Sequence, residues 1–145
     1  MIPKSNYDDD FYAWSNEQAA LLRAGRFSAA DVENIAEEIE SMGRSEKREL
    51  VSRLTLLLLH LLKWKFQPKG RCLSWTASIK VQLNGVVDHL SDNPSLKSLI
   101  PDAVARAYRD AVLRAADETK LSETVFPASC AWSFEQIMDP DFWPE

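Results

Sequence analysis

Glycine is scarce in this chain, with four in 145 residues. A multi-stranded β architecture turns its corners with residues at positive φ, which glycine supplies most readily. The shortage argues against an all-β fold. Cysteine is nearly absent too: Cys72 and Cys130 stand alone, with no Cys-x-x-Cys and no Cys/His cluster. That excludes a disulfide framework or a zinc-ribbon pattern and suits two small, reduced, buried thiols in a cytoplasmic protein. Long apolar runs are missing as well. The most apolar stretch, Leu54 to Leu62, has nine residues and is interrupted by Thr55 and His60, against about 20 needed to span a bilayer. It reads as a core helix, and no membrane association is expected. The opening MIPKSNYDDD is acidic and polar, unlike a secretory signal or an Arg-rich transit peptide.

One further absence is local. Residues 50–87 contain no Asp or Glu, yet carry Arg53, Lys63, Lys65, Lys69, Arg71 and Lys80. Around them, residues 1–49 hold 11 acids and 6 bases, and residues 88–145 hold 11 acids and 5 bases. The chain is thus polarised along its length within a net charge of −5. Such a pattern either serves an anionic partner or lets neighbouring helices neutralise one another.

What is present is helical periodicity, and the length suits one domain over 1–145, with 1–7 and parts of 121–145 irregular. Asp8 to Asp10 suit the start of a first helix, which Gly25 ends. Ser28, with Asp31 three residues on, predicts the opening of a second helix. Val32, Ile35, Ala36, Ile39 and Met42 form its apolar stripe, and Gly43 stops it. A third helix runs from about Ser45 to Phe66, ended by Pro68. Leucines on more than one of its faces place it at the centre of a bundle, while Lys63 reads as a C-terminal cation where alanine costs little. Ser74 begins a fourth helix, closed by Asn93-Pro94. Pro101 begins another that reaches Thr119, and a last turn falls near Ser133 to Ile137. The fold class is all-α: a helical bundle of about five to six helices with an irregular aromatic C-terminal tail.

Several motifs occur in order along nearly the whole chain: Tyr7-x-x-Asp10-Phe11-Tyr12-x-Trp14, Leu21-Leu22-Arg23-x-Gly25-Arg26-Phe27 and Glu37-Glu38-Ile39-Glu40-Ser41-Met42-Gly43, then Leu58-x-His60-Leu61-Leu62-Lys63-Trp64, Gln67-Pro68 and Ser74-Trp75. In these the chain resembles a bacterial family known only as a domain of unknown function, number twenty-nine. The resemblance implies an all-helical fold. It implies no activity, cofactor or catalytic residue.

Four sets of residues invite a functional reading. Glu33, Glu37 and Glu40 project from one side of the second helix, but no Glu-x-x-His occurs, and His60 and His89 fall on different helices without a carboxylate at ligand spacing. A solvated or ion-paired face is the simpler account, and no metal is expected. His60 and Trp64, one turn apart inside a leucine run, form a candidate polar core site; a satisfied core histidine stacked on Trp64 is its structural alternative. Lys69, Arg71 and Ser74 form a candidate anion site, in which the N–H groups of the fourth helix and two cations would hold a phosphate or carboxylate. A structural counter-charge patch is its alternative. Phe142 and Trp143 either pack back onto the bundle or anchor a partner. No Gly-x-Ser-x-Gly or Ser-x-x-Lys supports nucleophilic catalysis. The sequence leads to a non-catalytic, cytoplasmic helical binding or adaptor module with no cofactor, acting through a protein partner or small anion. The alternatives are a metal-dependent helical-bundle enzyme using His60 and the helix-two glutamates, a nucleic-acid-associated regulator, and a homo-oligomer of any of these.

Overall fold

The computed structural model describes residues 6–145, and the first five residues of the expected irregular N-terminus lie outside them. Among the described residues there are five α-helices and no strand: α1 (Phe11–Arg23), α2 (Val32–Phe66), α3 (Leu73–Asp92), α4 (Ile100–Thr119) and α5 (Phe134–Ile137). Short 3₁₀ turns at Phe27–Ala29, Pro68–Gly70, Pro94–Leu99 and Glu123–Val125 connect them. The chain divides into two compact units, one up to Ser45 and one from Glu46 to Glu145, with α2 beginning in the first and ending in the second.

Helix α1 is bounded by local chemistry. Asp10 caps it, its carboxylate accepting from the Ala13 N–H at 3.1 Å. Gly25, at φ 72°, closes it with paired bonds from Gly25 N to Leu22 O and from Arg26 N to Leu21 O, a Schellman arrangement that needs the left-handed residue. The second helix starts later than expected. Ser28 lies in a 3₁₀ turn, and α2 begins at Val32 after Asp31. Asp31 is held three ways: its N–H donates to Gln18 Oε1 at 2.7 Å, and its carboxylate accepts from Trp14 Nε1 at 3.0 Å and Asn34 Nδ2 at 2.8 Å. The buried residues of α1 are Trp14 and Gln18, so its inner face is spent on this polar anchor. Most of the expected apolar stripe stays outside: Val32, Ile39 and Met42 are each about 60% exposed, and Ile35 alone is half-buried.

Gly43 does not stop the helix either. α2 runs unbroken for 35 residues. A helical glycine costs about 1 kcal/mol relative to alanine, whereas a break would leave up to eight backbone groups without helical partners. The ion pair of Arg44 with Glu37 at 2.8 Å also bridges the position.

In the second unit the leucine run forms the core. Leu50, Leu54, Leu57, Leu58, Leu61 and Leu62 are at most 1% exposed, and Leu59 is buried on another face, as expected for a central helix. Ala103, Ala107, Ala111 and Ala115, spaced by four along α4, are fully buried. Their small side chains let that helix lie close against its neighbours. Tyr108, Phe126 and Ile137 complete the cluster. Lys63, expected at the surface, is buried, with Nζ 3.2 Å from Glu118 Oε1 and 4.7 Å from the Trp75 ring centre. Gly70 permits that arrangement, because a Cβ there would lie 2.6 Å from the Trp75 ring.

Candidate functional site

A large open cleft runs along the outer face of α4 in the second unit, with a volume of about 1250 Å³. Two elements form most of it, and Lys65 and Phe66 at the end of α2 complete the lining. The turns of α4 supply Val104, Tyr108 and Val112, and the segment 123–130 returns alongside them. That return is pinned chemically. The Tyr108 hydroxyl donates to the Pro127 carbonyl at 2.5 Å, and Phe126 is buried edge-on against Phe66, with ring centres 5.1 Å apart. A hairpin of this kind has no ladder of backbone bonds to hold it, so the tyrosine bond and the buried phenylalanine set the width of the groove.

The walls are mainly apolar, and two large aliphatic side chains lie open on them, Leu113 at 50% and Val125 at 45% exposure. Charge sits around them: Lys65 and Arg109 against Glu123. Arg109 is 72% exposed, and its Nε is 3.5 Å from Asp110, a contact in water that holds the guanidinium only weakly. Burial pushes both the Tyr108 hydroxyl and the Cys130 thiol above their ordinary values. Cys130 also donates to the Trp132 carbonyl at 3.5 Å. A thiol held protonated is a poor nucleophile, and no histidine or second carboxylate lines the cleft. Its chemistry is that of contact: apolar surface, two cations and a few hydroxyls.

His60 is half-buried, and its Nδ1 lies 2.8 Å from the Leu56 carbonyl one turn back on the same helix. Trp64 packs on Trp143, ring centres 4.8 Å apart, and against the Arg71 guanidinium at 4.8 Å. Arg71 Nε also donates to the Trp64 carbonyl at 2.8 Å. Arg71 is thus turned back onto the end of α2, while Lys69 is exposed. Ser74 does not cap the following helix: α3 starts at Leu73, with Cys72 at the cap position and no side-chain bond, and Cys72 is exposed there rather than buried as expected. Of the expected anion set, Arg71 is engaged by Trp64, while Lys69 and Ser74 are exposed. Phe142 and Trp143 turn onto rings of the same unit, Phe142 edge-on to Trp132 at 5.7 Å and Trp143 on Trp64. Among the helix-two glutamates, Glu37 and Glu40 face Arg44, and Glu38 accepts from the Tyr7 hydroxyl. The cleft itself is missed by periodicity, because Val104 and Tyr108 read as a buried stripe whichever element covers them.

A family model described as "Domain of unknown function DUF29" matches residues 6–143. The chain belongs to this family. Its match spans both units, and the family brings no assigned chemistry with it. Neither the curated proteins nor the solved structures contain a match. Among the described residues, no helix of this DUF29 member is long and apolar enough to cross a membrane.

Proposed function

We propose that the chain is a non-catalytic, cytoplasmic binding module whose α4 cleft receives an apolar, acidic segment of a partner protein. The observation that carries this reading is the cleft's lining: open aliphatic side chains, Leu113 and Val125, flanked by two cations, Lys65 and Arg109, against one acid, Glu123. Exposed apolar surface with a charged rim is the anatomy of a protein contact. The volume lies above the roughly 300–1,000 Å³ of ordinary small-molecule pockets, which favours a peptide segment as occupant. Two cations are too few for a nucleic-acid backbone, whose binding draws on many phosphate contacts, and the net charge of −5 opposes it.

Selection of phage-displayed peptides against the intact protein tests the reading. Enriched peptides should combine two or more large apolar residues with flanking Asp or Glu. Synthetic versions should bind the Leu113→Asp/Arg109→Glu variant at least about tenfold more weakly, as expected when a central apolar anchor and a rim charge are both lost. Both changed side chains are exposed, so circular dichroism of the variant should match the parent. Absence of enrichment, or equal binding to both forms, overturns the proposal.

A further inference from the structure

His89 lies on α3 with only 7% of its side chain exposed, and it faces two glutamates one turn apart on α2, with Nε2 3.5 Å from Glu46 Oε2 and Nδ1 3.4 Å from Glu49 Oε2. Its Nε2 is 2.8 Å from the Glu46 backbone carbonyl. A carbonyl oxygen only accepts, so Nε2 carries the proton of this bond. In the neutral ring that leaves Nδ1 bare, and Nδ1 looks directly at Glu49 Oε2 from 3.4 Å. Two acceptors held face to face at the edge of the core repel unless a positive charge lies between them.

The neighbours fix this orientation. Glu49 Oε1 is occupied by Arg53, whose Nη2 and Nε donate at 3.0 and 3.3 Å. Its other oxygen is thereby turned to the histidine. Gly85 makes room for Arg53, since a Cβ there would lie 2.4 Å from Nη1. One ligand atom from each of Glu46, Glu49 and His89 lies within 4.8 Å of the other two. They open into a cleft of about 430 Å³ that is also lined by Asp88 and Asp92. Four carboxylates thus surround the site against one guanidinium.

The geometry points to a divalent transition-metal site made by His89 Nδ1, Glu49 Oε2 and the Glu46 carboxylate. A histidine that gives its second N–H to a backbone carbonyl has its tautomer set for ligation by the other nitrogen. One imidazole and two carboxylates suit Zn²⁺ or Mn²⁺ better than Ca²⁺ or Mg²⁺, which prefer oxygen alone. Three protein ligands leave room for water on the open side, where Asp88 and Asp92 add negative field and can accept from that water. The site lies apart from the α4 cleft and does not depend on it.

The full chain, stripped with EDTA and dialysed, is titrated with zinc sulfate and separately with manganese chloride by calorimetry. One equivalent should bind, with zinc the tighter. Glu49→Gln and Glu46→Gln, both half-exposed positions, should each weaken binding by at least about tenfold while retaining the parent's circular dichroism. His60→Gln, which removes the only other histidine, should leave binding unchanged. His89→Gln should abolish binding, and if that variant fails to fold the two glutamine variants decide. No binding of either metal, binding that survives Glu49→Gln, or binding lost with His60→Gln overturns the assignment.

Discussion

Lys63 and Glu118 form an ion pair whose two ends stand in different solvents, and removing one end should not equal removing the other. The Lys63 side chain is 8% exposed and that of Glu118 is 45% exposed. Glu118→Gln leaves an ammonium buried with little beyond the Trp75 ring, 4.7 Å away, and a cation–π contact supplies only about 0.5–2 kcal/mol. Breaking a fully buried pair from one side costs about 3–5 kcal/mol. Because Glu118 already stands half in water, its attraction is partly screened, and the expected loss is about 1–3 kcal/mol. Lys63→Met keeps the stem's volume, removes the buried charge and returns Glu118 to water. It should change stability by less than about 1 kcal/mol, since replacing a buried pair by apolar packing is often neutral. The double variant should match Lys63→Met, so the coupling energy should equal the Glu118→Gln loss, about 1–3 kcal/mol. Urea denaturation followed by circular dichroism measures all four proteins, with an unchanged slope as the check on a common unfolding transition. A larger loss for Lys63→Met than for Glu118→Gln would refute the argument. The stem's packing, not the stranded charge, would then dominate.

Leu58→Ala and Leu61→Ala should each destabilise the second unit by about 2–5 kcal/mol, because both side chains are at most 1% exposed and leave cavities in the central helix; denaturant midpoints check this. The Tyr7 hydroxyl is pushed up to about 12, chiefly by its hydrogen bond to Glu38. Its contribution is fully present below the ordinary value of 10.0 and is lost as pH rises through about 12. Absorbance at 295 nm should show one tyrosine titrating late in this way, and Glu38→Gln should bring that step back toward 10. A titration indifferent to Glu38→Gln would refute the bond.

Legibility followed locality. Asp10, Gly25, Pro68, Pro94 and Ser133 each mark a helix end through their own backbone preferences or short side chains. Each acts where the sequence places it: Ser133, for instance, forms a capping box with Gln136 three residues on. The leucine run was legible for a related reason, since a helix apolar on several faces can satisfy itself only inside a bundle. Gly43 misled because its propensity is weaker than the penalty for interrupting a helix that packing holds at its other end. The Ser74 cap failed by two residues, the ordinary latitude of helix boundaries.

The sequence by itself determined the all-helical class, most helix ends and the family, because these depend on residues within a few positions of one another or on ordered motifs. Tertiary structure decided the rest. It left Val32, Ile39 and Met42 about 60% exposed, while the buried residues of α1, Trp14 and Gln18, hold Asp31 instead. It buried Lys63, because a partner carboxylate 55 residues on and a tryptophan ring reach it together. It also brought His89 to Glu46 and Glu49, about 40 residues earlier in the chain. No spacing rule reaches that far: periodicity says which side of a helix a residue occupies, and only the packing of α2 against α3 says what stands opposite.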